Sequence, residues 1–175
     1  MFDKSRIKKA YFRCIELARE LYKNLYKLNP ICLMVITLFG MTVLPAIIKV
    51  IIPEKLAFFI SNGPDINHGI IYNIIVLCII GPIQETLCYF AFINKILNSL
   101  LKKKSVLLYI VVSSIIFGSM HFYNLQYILW ATFTGLFMAI EYSIAYRKNE
   151  RPIIQVSIVH GVRNLISLIL VLLAK

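Results

Sequence analysis

Four side chains in this 175-residue chain combine types and spacings that fit hydrolysis. Glu85 lies three residues after Pro82 in the stretch GPIQETLCYF, an otherwise apolar run. A carboxylate in such a setting suits a general base. His121 closes the stretch FGSMH, again at the end of an oily run. His160 and Asn164 stand four apart in HGVRN, so on a helix they share one face, one turn apart. Imidazole N–H and amide NH2 are both donors. The pair therefore reads either as an oxyanion holder in a dry site or as interhelical glue bonded to a neighbouring backbone.

Charged groups at the centre of a spanning helix cost about 2.5–3.5 kcal/mol, so each buried ionisable residue needs a reason. Glu85 has a structural alternative, an ion pair with Arg163. Arg163 adjoins Asn164 but points elsewhere on a helix, and its expected partner is Glu141, with a substrate carboxylate as the alternative. Glu85, His121 and His160 would also compose a two-histidine, one-carboxylate zinc set. No HExxH helix is present, so no cofactor is expected and zinc stays as the alternative. The four cysteines, Cys14, Cys32, Cys78 and Cys88, form no CxxC and read as small apolar fillers; Cys88, one turn from Glu85, is not needed as a nucleophile.

The elements that must position these groups are membrane helices. The chain is 59% hydrophobic and 15% charged, against roughly 25% charged in soluble domains. The apolar residues fall in blocks long enough to cross a bilayer. The fold class is all-α: a polytopic transmembrane helix bundle with about five spanning helices and an N-terminal amphipathic helix. Residues 1–30 form the basic amphipathic arm, in which Ile7, Tyr11, Cys14, Ala18, Leu21, Leu25 and Leu28 line one face. Residues 31–175 form the bundle, with spans at 31–52, from 70 onward, and at 105–122, 127–146 and 153–174. The run from 70 is longer than one hydrocarbon thickness, and Gly81–Pro82 is the natural place for a kink or a fresh helix start.

A net charge of +11 would suggest nucleic acid in a soluble protein. Here eight of the 19 Lys and Arg sit in the arm, four in 95–104 and three in 147–151, while the opposite connections hold only Lys55. The positive-inside effect explains this pattern, with the N-terminus cytoplasmic and no nucleic-acid partner. The expected partners are the lipid bilayer and a peptide or membrane-protein substrate. Counting from the basic connections puts His121 near the outer end of its helix and His160 about eight residues above the inner end. The groups therefore meet only if a helix is tilted, broken or shifted.

In order and separation, GPIQETLCYF, FGSMH and HGVRN resemble the motifs of the CPBP intramembrane proteases, the family of CAAX prenyl endopeptidases and of bacteriocin-processing or self-immunity proteins. The resemblance spans roughly 70–170. The family pattern is a proline, two residues and EExxxR, then FxxxH, then HxxxN. Aligned on Pro82, Glu85 takes the first Glu, Phe117 and His121 the second motif, and His160 and Asn164 the third. Thr86 and Phe90 stand where the family has its second Glu and its Arg. The resemblance implies a metal-free site in which Glu85 and His121 activate water while His160 and Asn164 hold the oxyanion. It implies a glutamic-type endopeptidase acting on a bacteriocin, a signalling peptide or a CAAX-like substrate. The alternative is an inactive member serving as a self-immunity or regulatory binding protein. The lysine- and isoleucine-rich composition suits a bacterial plasma membrane.

Overall fold

A computed structural model describes residues 4–51, 68–100 and 105–173. Six helices account for them: α1 (Lys4–Tyr26), α2 (Pro30–Ile51), α3 (Ile70–Leu100), α4 (Val106–Ser119), α5 (Leu125–Arg147) and α6 (Pro152–Leu173). The protein is an all-α bundle of membrane type. Among the described residues α3, α5 and α6 are long and apolar enough to cross a bilayer, and α2 and α4 carry shorter apolar stretches at Pro30–Val43 and Val106–Ser119. Three helices start at side-chain caps that take up orphan N–H groups. Asn29 Oδ1 accepts from Cys32 N at 2.8 Å, Ser105 Oγ from Leu108 N at 3.3 Å and Asn124 Oδ1 from Tyr127 N at 2.7 Å.

Helix α5 is the hub, packed on α2, α4 and α6, and it buries Ala131, Thr134, Gly135, Met138, Ala139 and Tyr142. Two single glycines let α4 and α5 interlock. A Cβ at Gly118 would run into Thr132, and one at Gly135 would stand 2.9 Å from Phe117 Cδ1. Phe117 is thereby fixed in the core, only 2% exposed. The basic end is tied by Lys148, which donates to Leu28 O at 2.9 Å, and by Tyr22 OH with Ser143 Oγ at 3.1 Å. The latter contact attaches α1, whose Ile7, Tyr11, Leu17 and Leu21 are otherwise exposed.

The sequence suggests a break at Gly81–Pro82, but α3 runs unbroken through it. Wide π turns occupy Ile74–Ile80 and Thr86–Ala91, with α-helical turns at Gly81–Glu85 between them. Proline has no N–H to give to the carbonyl four or five residues back. The widened turn absorbs that loss: the Gly81 N–H goes to Val76 O instead of Leu77 O. Helix α4 also differs from expectation. It ends at Ser119 after 14 residues, a rise of about 21 Å against roughly 30 Å of hydrocarbon.

Candidate active site

Glu85, His121 and His160 come from three separate elements and meet at one oxygen. His160 Nε2 lies 3.6 Å from Glu85 Oε2, and His121 Nε2 lies 3.9 Å from the same atom. That oxygen is buried and makes no hydrogen bond within the protein among the described residues. The Glu85 and His121 side chains are 29% and 19% exposed, whereas His160 is sealed at 4%. The cluster therefore has an open side, bounded by the carboxylate and His121, and a closed side at His160. The depth difficulty is met by the short α4: His121 follows it in a turn, with its N–H on Gly118 O at 3.0 Å. The ring thus stops where the middle of α6 can reach it.

Phe117 orders both imidazoles. Its ring centroid is 4.5 Å from that of His121 and 5.8 Å from that of His160, the second contact edge-on. Its backbone carbonyl lies 2.8 Å from His121 Nδ1. A carbonyl only accepts, so Nδ1 carries the proton, and in the neutral ring Nε2 is left as an acceptor. Two acceptors, Nε2 and the carboxylate oxygen, then face each other across 3.9 Å. One water giving a hydrogen to each at about 2.8 Å fits such a gap.

Asn164 is held from two sides. Its amide NH2 donates to Leu77 O at 2.8 Å, and its Oδ1 accepts from the Arg163 guanidinium at 3.1 Å. Leu77 is the residue five before Pro82, so its carbonyl lacks a donor in the π register and takes Asn164's hydrogen instead. The interhelical-glue reading of this residue thus has a physical counterpart. The same amide still has a second N–H. Next to it, Gly161 faces the carbonyl of Cys78, and a Cβ there would strike that oxygen. Helix α6 therefore rests backbone to backbone on the wide turn of α3.

The expected Arg163–Glu141 pair does not form. Arg163 is 7% exposed and lies over the Trp130 ring at 3.8 Å from its centroid. Trp130 and Glu141 stand 11 residues apart on α5, roughly 16 Å along its axis, so one side chain cannot meet both. Glu141 is wholly buried between helices, and neither carboxylate oxygen makes a hydrogen bond among the described residues. The missing family pair has also been replaced. Thr86 and Phe90 are both fully buried, and the Phe90 ring packs tilted against that of Phe117 with centroids 5.6 Å apart, so an apolar contact stands where the family pattern has its arginine. Cys88 is exposed on the outer side of α3. Trp130 and Tyr127 were not singled out by spacing. Tyr127 lies parallel to His121 at 6.0 Å, and the aromatic run at the start of α5 is the sequence signal for both.

Among the described residues, no group of three His, Cys, Asp or Glu is arranged to hold a metal ion. Comparison with curated proteins and with solved structures gives no match. Residues 67–166 match the family described as type II CAAX prenyl endopeptidase Rce1-like, and the matched stretch contains Glu85, His121, His160 and Asn164. That stretch is more than half of the chain, and the protein, an integral membrane helix bundle, belongs to this protease family.

Proposed function

We propose that the protein is an intramembrane endopeptidase of the glutamic type. The observation that carries this reading is the convergence of two imidazoles, one from the turn after α4 and one from α6, on one unbonded oxygen of Glu85. Water bridging Glu85 Oε2 and His121 Nε2 gives a proton to the carboxylate as its oxygen bonds to the peptide carbonyl carbon. The carbonyl oxygen becomes an oxyanion, held by His160 N–H and the second N–H of Asn164. A preorganised donor of this kind lowers the activation barrier by about 3 kcal/mol. Glu85 then passes the proton to the leaving nitrogen as the C–N bond breaks. No metal takes part in this scheme. The substrate is a peptide or protein segment in the bilayer, such as a bacteriocin, signalling peptide or CAAX-like C-terminus. The protein resides in a bacterial plasma membrane with its N-terminus cytoplasmic.

The test is cleavage of hydrophobic peptides by the full-length protein in proteoliposomes, with Glu85→Gln alongside. The expected outcome is metal-independent cleavage: excess chelator changes the rate less than twofold, and Glu85→Gln lowers it at least a thousandfold. Cleavage that survives Glu85→Gln overturns the reading.

The buried Thr86 and Phe90 favour a second reading, a binding protein that holds such a segment without cutting it. Its mark would be peptide binding and any immunity phenotype retained in Glu85→Gln, with no product from the natural chain.

A further inference from the structure

Among the described residues Arg163 is a buried cation, 7% exposed, without an ion pair. One of its five N–H donors reaches Asn164 Oδ1 at 3.1 Å, and its flat face rests on Trp130 at 3.8 Å. The aromatic ring and the amide oxygen orient the guanidinium without neutralising it. Taking a guanidinium out of water without a counter-ion is costly, and a carboxylate accepting from two parallel N–H groups is the partner that best offsets that cost. Glu141 is about three turns away along α5, and Glu85 acts on Arg163 only through space, its close contacts being with the two histidines.

We propose that Arg163 is the anchor for a carboxylate on the substrate, so that the protein selects a peptide bond one or two residues from an acidic group. The inference rests on the peptidase reading and adds a selection rule to it. The register follows from geometry. A carboxylate paired to a guanidinium that touches Asn164 Oδ1 lies about 6 Å from that amide, while an extended chain advances about 3.3–3.6 Å per residue. If Asn164 serves the reacting carbonyl, the anion is within two residues of it. The acidic group is either an Asp or Glu side chain or the peptide's own C-terminal carboxylate; the chemistry is shared and the experiment separates them.

Trp130 is the chain's only tryptophan and lies against Arg163, so its emission reports on this position. The experiment uses full-length Glu85→Gln protein in nanodiscs, titrated with three N-acetylated hydrophobic hexapeptides. One is a neutral amide, one the same sequence with a free C-terminus, and one an amide with a single Asp placed next to the central bond. The expected result is at least tenfold tighter binding of one or both acidic probes than of the neutral amide, with a change in Trp130 emission. Arg163→Gln abolishes that preference. Arg163→Lys, which keeps the charge but loses the two-point geometry, retains part of it. Preference for the free acid alone assigns the chain terminus, and preference for the Asp probe assigns a side chain. Equal binding of all three probes, or a uniform loss of affinity for all three in Arg163→Gln, overturns the proposal and leaves Arg163 as a support for Asn164. Binding is read on a hydrolytically silent protein. A failed peptidase test therefore shows as cleavage unaffected by Glu85→Gln, and a failed anchor as absent carboxylate preference.

Discussion

His160 Nε2 and Glu85 Oε2 face each other at 3.6 Å across the contact between α6 and α3, and that carboxylate oxygen has no hydrogen-bond partner within the protein among the described residues. Carbon-to-oxygen reach decides whether such an arrangement works. Glu85→Asp shortens the side chain by one methylene and withdraws the oxygen from both imidazoles at once. Because near-attack geometry is lost with shifts of about 1 Å, the expected outcome is a fall of about a hundredfold in kcat/KM, with helix content and melting temperature unchanged. Peptide hydrolysis in proteoliposomes, with circular dichroism alongside, checks it.

Pro82 lacks the hydrogen that would occupy the Leu77 carbonyl, and Asn164 supplies one instead. Restoring a backbone donor with Pro82→Ala offers α3 an ordinary register in which that carbonyl no longer needs α6. The melting temperature is expected to hold or rise while kcat falls roughly tenfold. Asn164→Leu removes the donor but leaves the part-buried carbonyl unpaired, costing about 1–3 kcal/mol of stability together with activity. Parallel thermal unfolding and rate measurements on the two variants separate these effects.

Gly161 marks the closest approach of the two helices that carry the carboxylate and the third-motif histidine. A methyl group there meets the Cys78 carbonyl oxygen, a rigid backbone atom, so α6 has to move away. Gly161→Ala is expected to cost about 3 kcal/mol and to remove activity, since overpacked contacts relax by backbone shifts. Gly69→Ala, with nothing within 4 Å of the added carbon, is the control and is expected to change neither.

Phe90 occupies the position of the family's arginine, wholly buried against Phe117. Phe90→Arg returns the family residue but places a charge in an apolar pocket whose partner position is Thr86. The expected destabilisation is about 3–5 kcal/mol, comparable to breaking a buried ion pair. Adding Thr86→Glu, one turn away, is expected to recover part of it through an i,i+4 pair. A double-mutant cycle of melting temperatures gives the coupling; additive losses would show that the pocket has no room for the pair.

Composition alone determined that this chain is a bundle of membrane helices, because a stretch of about 20 apolar residues has one low-energy state in a bilayer, and it is helical. Local spacing determined that His160 and Asn164 share a helix face, and the order of the three motifs around Glu85, His121 and His160 pointed to the family. The tertiary structure decided what no local pattern encodes. Arg163 lies on Trp130 and Asn164, and Glu141 sits buried apart from it, beside Thr37. The proline in α3 is absorbed by wide turns that present the Leu77 carbonyl to α6. Helix α4 stops after 14 residues, which brings His121 to the level of His160. These outcomes depend on how far apart helix axes sit and at what height they cross. Such quantities are set by volumes meeting across the interface, Gly161 against Cys78 and Gly118 against Thr132, between residues distant in the chain.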